Sequence, residues 1–335
     1  MNYTYNKSYD TFCFQNCINY ILQSNHIKDS EFYINKSMSM NVKKSSNYDL
    51  DYHFSFACYD VVPQFMEKVK TNDSTEDAYD VLMNIINDKN ESTEIILGVD
   101  SYYLPYLPYY KKSHGLHSVI LKQIDENKGR VFILDKMDPW MFEGYVDLDE
   151  FLRSRKSENR DDGGMFSNIP VKNRWKEISL LGWNGKIEQL VNQLIRLSIE
   201  QYYVAEDDAE EARGIGALSY ITKYLKMFNE MNNVEQGKLL VGMHKVIYRL
   251  NHRRRFWNDF VKKIPSQYIT STLNDYKNEI IEIDKMSEEL LYRILIFRVK
   301  KNREFLNDLI DRFNKLIEHE KRNGGKLIQY EREKR

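Results

Sequence analysis

Cysteine is nearly missing, with three in 335 residues. An odd, sparse count points to thiols and excludes a disulfide framework. Cys13 and Cys17 lie four residues apart, a step that suits one helix face. No second Cys/His pair follows at zinc-finger spacing, so no metal is expected. Proline (six) and glycine (14) are scarce, which together with 42% apolar residues excludes a collagen-like or disordered chain. No apolar run approaches the roughly 18 residues that span a bilayer. The opening MNYTYNKSYDTFCFQNC has no basic segment followed by an apolar core, so no signal peptide is expected. These absences predict a cytoplasmic protein with no membrane partner. An excess of either charge is also missing: 49 Lys and Arg balance 50 Asp and Glu. A global basic field for nucleic acid is therefore excluded.

Tyrosine, by contrast, is plentiful. Of 24 in the chain, five fall in DSYYLPYLPYYKKSHGLHSVILKQ (Asp100–Gln123), where two histidines follow and open an apolar run. The texture of the chain changes near residue 175. Before it lie short β-like runs and five of the six prolines; after it the pattern is helical, with Pro265 alone. The expected fold class is therefore α+β over residues 1–175, followed by an all-α helical domain over 176–335. In the first part, Asp10 or Thr11 can cap a helix that buries Phe14, Cys17, Ile18, Ile21 and Leu22. Residues 74–87 predict a second helix capped by Ser74, with Glu76 in its first turn. Glu94–Val99, His117–Ile124 and Arg130–Leu134 predict strands, with DENKG (Asp125–Gly129) as a hairpin turn. Asp147–Leu152 begins another helix, and SRKSENRDDGG (Ser154–Gly164) reads as a charged surface loop. In the second part, 184–203, 207–231, 234–262, 266–285 and 286–320 carry helical periodicity, and GGKLIQYEREKR reads as a frayed tail.

The chemistry concentrates around the hairpin. His117 starts one strand and Asp135 follows the next, so a turn centred near 126–127 sets them almost opposite each other. A carboxylate there fixes the ring tautomer and stabilises an imidazolium. Cys13, in the first turn of a predicted helix, gains thiolate character from the helix dipole and would gain more from a nearby His. Cys17, one turn deeper on the apolar face, is the alternative nucleophile, and burial raises a thiol pKa. His114 competes with His117 from the KKSHG turn, as a substrate-binding residue. Asp138 competes with Asp135, although DPW suits turn chemistry. HRRRFW (His252–Trp257) reads as a basic helix turn with a solvated or salt-bridged face, or one that meets an acidic partner, AEDDAEEA (Ala205–Ala212) as an exposed helix start, and ARGIGALS (Ala212–Ser219) has too little glycine for a phosphate loop.

Cys13 at a helix start, VDSYYLPYLPYYKKSHGLHSVIL (Val99–Leu121) and VFILD (Val131–Asp135) resemble the N-terminal domain of the butirosin-biosynthesis acyltransferase family. That domain is similar to a C39-type, papain-like cysteine peptidase. The resemblance covers roughly residues 8–155; the second half is similar to the family's C-terminal region in length and texture. It implies acyl transfer from a carrier-protein phosphopantetheine thioester to a small-molecule amine, forming an amide in thiotemplated antibiotic biosynthesis. The partners implied are an acyl or peptidyl carrier protein and the amine acceptor. No cofactor is bound, since the donor brings the phosphopantetheine. Carried over, Cys13 matches the nucleophile, His117 the base and Asp135 the orienting acid. Tyr102, Tyr103, Tyr106 and Tyr109 would wall the acyl or acceptor channel and exclude water. Papain-like enzymes place an oxyanion-hole glutamine about six residues before the cysteine. Here Lys7 stands there, leaving neighbouring Asn6 or the backbone N–H groups near Cys13 as donors. A cysteine hydrolase with the same triad, and a non-catalytic binding protein of that fold, are the alternatives.

Overall fold

The computed structural model describes residues 12–27, 34, 37–44, 50, 52–53, 77–89, 93–162, 166–179 and 187–334. In chain order the elements begin with α1 (Cys13–Ser24), β1 (Asn41–Lys43), β2 (Tyr52–His53) and α2 (Ala78–Asp88). Next come β3 (Thr93–Asp100), β4 (Leu116–Asp125), β5 (Arg130–Asp135), β6 (Phe142–Asp147), α3 (Leu148–Arg155) and β7 (Trp175–Ser179). The last group is α4 (Ile187–Ser198), β8 (Glu211–Arg213), α5 (Ile215–Lys226), α6 (Asn233–Lys263), α7 (Ser271–Lys300) and α8 (Arg303–Lys334). The result is a mixed α+β protein with a helical C-terminal region. Among the described residues, no helix is long and apolar enough to cross a membrane.

The chain divides into two compact units, but not at a single break after residue 175. Strand β7 pairs with β3 as the edge of the first unit's sheet, which carries that unit past 175. Ser37–Lys44 belongs to the second unit, because β1 pairs with β8.

The first unit is built on a five-stranded antiparallel sheet in the order β6-β5-β4-β3-β7. Alternate residues of its central strands (Ile95, Leu97 and Val99; Val119 and Leu121; Val131 and Ile133) form one apolar core with Val81 and Leu82 of α2 and Phe151 of α3. Helix α2 begins later than expected, because Asp77 caps it by accepting from the Tyr79 N–H; Ser74 and Glu76 lie outside the described residues. The DENKG turn closes on Gly129, whose φ of 58° suits a residue without Cβ. Strands β6 and β7 were not legible in the sequence. The segment after α3 is not a simple surface loop: Arg155, Ser157 and Asn159 are buried. The Arg155 guanidinium donates to the carbonyls of Gly98, Asn173 and Arg174, tying α3 to the β3–β7 edge.

The second unit is helical but not all-α, since β2, β1 and β8 form a small antiparallel sheet. The expected helix over 207–231 starts only at Ile215. Asp208 accepts from the N–H groups of Glu210 and Glu211, which turns the chain into β8. Gly214, with φ 52°, lies so near Tyr202 that a Cβ would stand 2.0 Å from its carbonyl oxygen. The expected boundary at 285/286 is absent. One helix runs to Lys300, and the chain turns at Lys301 (φ 42°), with Asn302 accepting from the Phe305 N–H. The tail is not frayed, since α8 continues to Lys334 and buries Leu327 and Tyr330. HRRRFW is salt-bridged rather than solvated, through Arg254 to Glu320 and Arg255 to Glu288. Arg254 is buried, where it pairs with Glu320 of α8 and donates to Ser287 and Tyr202.

Candidate active site

Helix α1 supplies Cys13 at its first residue. Phe12 is the N-cap and makes no side-chain capping bond, while its carbonyl accepts from the Asn16 N–H at 3.1 Å. The caps expected from Asp10 or Thr11 lie outside the described residues, as do Asn6 and Cys58. The helix packs on β4 and buries Cys17, Ile18, Ile21 and Leu22. Cys13 and Cys17 are both free thiols, Cys17 fully buried.

His117 is the second residue of β4 and Asp135 the last of β5. They are diagonal rather than opposite. The ladder sets Ile120 across from Leu134, and continuing that register places Val119 across from Asp135. The offset comes from the turn, which sets Asp125 across from Arg130 and so is centred later than expected; the irregularity between Leu121 and Gln123 adds a residue to β4 and brings His117 one place nearer, onto the face of Asp135. Diagonal neighbours on one face remain within reach of long side chains. His117 Nε2 lies 2.6 Å from Asp135 Oδ2, and both residues are buried. Asp135 is itself held: the Tyr106 hydroxyl donates to Oδ2 at 2.8 Å and the Met137 N–H to Oδ1 at 3.0 Å.

Cys13 completes the chain, lying near enough to His117 for thiol and imidazole to shift each other's protonation. With Nε2 given to Asp135, Nδ1 is the nitrogen left for the sulfur. Burial pushes the Cys13 thiol up, but the His117 imidazolium and hydrogen bonds from His117 and Ser118 outweigh it, so the thiol stands below its ordinary value. Burial likewise disfavours charge on His117, yet the Asp135 carboxylate and the Cys13 thiolate hold the imidazole well above its ordinary value. The pair therefore favours thiolate and imidazolium together. Cys17 behaves oppositely. Burial first, then the Asp135 carboxylate, push its thiol well above the ordinary value, and it donates to the Ser118 carbonyl at 3.5 Å.

Of the four tyrosines expected to wall a channel, Tyr106 is the one bonded to the triad, through Asp135. Its ring stacks on Phe142, with centroids 4.1 Å apart. Tyr102 stacks on His114, and the Lys111 ammonium lies over Tyr102 and Tyr103. Tyr109 packs edge-on against Trp140. His114 partners Asp100, with Nδ1 2.7 Å from Oδ2, while its N–H donates to Asp162. None of these partners is a triad residue. Asp138 stands in the turn closed by the bond from the Trp140 N–H to the Met137 carbonyl. Two contributors had escaped notice: Ser118, whose hydroxyl meets the Cys13 thiol, and Tyr106 as a support for Asp135.

No model of a known protein family matches the chain, and no curated protein matches it either.

Proposed function

We propose that the protein is a cysteine acyltransferase of papain-like fold, moving an acyl group from a carrier-protein phosphopantetheine thioester to an amine. One observation carries the reading: the unbroken contact chain from Cys13 to His117 to Asp135, with the nucleophile at a helix N-terminus. An antiparallel sheet that delivers His and Asp, set against a helix that delivers Cys, is the arrangement a papain-like enzyme uses.

The Cys13 thiolate attacks the thioester carbonyl carbon. Backbone N–H groups of the first turn of α1 are suited to hold the oxyanion. The carbon–sulfur bond to the donor breaks, and the departing thiol takes the proton from His117. His117, now neutral, accepts a proton from the incoming amine as it attacks the acyl-Cys13 carbon. Collapse releases the amide and restores the Cys13 thiolate and the His117 imidazolium. Asp135 keeps the ring oriented throughout, and Tyr106 and Met137 keep Asp135 in place.

Intact-mass spectrometry after exposure to an acyl-carrier thioester tests this. The expected result is an acyl adduct that disappears in Cys13→Ala and is discharged as amide when amines are added. Discharge to free acid alone, whatever amine is supplied, would leave hydrolysis in place of transfer. An adduct that survives Cys13→Ala would defeat the mechanism.

A further inference from the structure

A half-open cavity of about 60 Å³ is lined by Phe14, the residue after Cys13, and by Ser118. Resting on the acyltransferase reading, we propose that it is an acyl pocket selective for short apolar acyl chains, and that Gly98 sets its size.

The pocket is a dip in the sheet. Strand β4 contributes Leu116 and Ser118, and β3 contributes Ile96 and Gly98, each pair sharing a face at two-residue spacing. Ser118 sits across from Gly98, whose N–H donates to the Arg174 carbonyl at 3.0 Å on the far side. The row Ser118–Gly98–Arg174 thus has no side chain at its centre. A Cβ at Gly98 would stand 2.7 Å from Arg174 Cγ. That wall is not free to retreat. Arg174 donates through Nε to the Val171 carbonyl and through Nη2 to the Pro170 carbonyl, and its own carbonyl accepts from buried Arg155. Phe14, the residue after Cys13, covers the dip, with the Lys176 ammonium 4.6 Å from its ring centroid. The lining is mainly apolar, and Ser118 reaches both the pocket and the thiol.

A dry protein cavity of about 150 Å³ accepts benzene, roughly 25 Å³ per carbon, so the space under Phe14 suits about two to three carbons. When the Sγ–acyl bond forms and the donor carbon–sulfur bond breaks, the acyl tail of a butyryl-sized group fits there, and a longer chain meets Phe14 and Arg174.

The test uses N-acetylcysteamine thioesters of acetyl, butyryl, hexanoyl and octanoyl groups with the full chain, reading the rate of Cys13 acylation by intact mass. Butyryl is expected to react about tenfold faster than acetyl, from two further buried carbons, and faster than octanoyl. Gly98→Ala is expected to bring butyryl down to the acetyl rate. Leu116→Ala is expected to move the optimum to hexanoyl, and it carries the test if Gly98→Ala fails to fold. Equal rates across chain lengths, or an optimum unmoved by Leu116→Ala, would overturn the pocket and leave the acyltransferase reading intact. If no thioester acylates Cys13 while iodoacetamide alkylates it, the acyltransferase reading fails and the pocket with it.

Discussion

Replacing Asp135 with Asn probes the electrostatics of the site with almost no change in shape. In the native protein, Asp135 Oδ2 accepts from both His117 Nε2 and the Tyr106 hydroxyl, while Oδ1 accepts from the Met137 N–H. An amide cannot serve all three donors. With its NH₂ at the Oδ2 position it faces two donors, and with its NH₂ at Oδ1 it faces the Met137 N–H. In either orientation the negative charge that supports the imidazolium is gone. A hydrogen bond to a charged group is worth about 1.5–3 kcal/mol, which corresponds to about one to two pKa units. His117 should drop by that amount, because burial, its largest perturbation, acts downward and loses its main opposition. The thiolate–imidazolium pair and the neutral thiol–imidazole pair hold the same number of protons, so the balance between them follows the difference in the two pKa values. The ion-pair fraction should fall by about 10- to 100-fold wherever it is the minor form. The assay is the pH profile of iodoacetamide alkylation at Cys13. The native protein is expected to react well below the ordinary thiol pKa of about 8.5, whereas Asp135→Asn is expected to need alkaline pH. Superimposed profiles would refute the reasoning, provided the variant melts cooperatively.

The ion pair also shapes stability. His117, raised in the folded state, stabilises fully below its unfolded value of about 6.5, and that contribution is lost as pH rises through the folded value; Cys13, lowered, stabilises fully above about 8.5, and its contribution is lost as pH falls through its folded value. The two slopes oppose each other wherever both groups titrate, so the melting-temperature gap between the native protein and His117→Ala should change less with pH than either contribution alone; a gap that grows steadily across pH 5–10 would contradict this. Cys17→Ala should keep acylation and alkylation at Cys13 while costing about 1 kcal/mol from a small buried void, read by urea denaturation; loss of the adduct would transfer the nucleophile to Cys17. Glu320→Ala should cost about 3–5 kcal/mol, because it strands the buried Arg254 charge; a loss below about 1 kcal/mol by the same measurement would show that the pair is dispensable.

Which parts of this molecule were legible in its sequence follows from how far each determinant reaches along the chain. The buried phase of α1, the three central strands and the Gly129 turn depend on residues a few positions apart, and local periodicity carries them. The closeness of His117 and Asp135 was also local, a matter of counting back from one turn. The turn fell later than that count, and the extra residue in β4 then brought His117 back onto the face of Asp135 as its diagonal neighbour. Determinants set by distant partners did not show. Arg254 looks like a surface cation until Glu320, 66 residues away, comes to meet it. Helical punctuation misled for a related reason. Gly324 suggested a break, yet it sits inside α8 where a Cβ would press on Tyr203, so the residue serves close packing. The real break, at Lys301, uses a left-handed turn with no glycine or proline to announce it. Strand β7 belongs to the same class: its pairing with β3 joins segments about 80 residues apart, and that pairing brings Arg174 beside Gly98. The candidate trio of Cys13, His117 and Asp135 could thus be assembled from one hairpin and one helix, while the cavity lined by Gly98 and Arg174 required the long-range closure of the sheet.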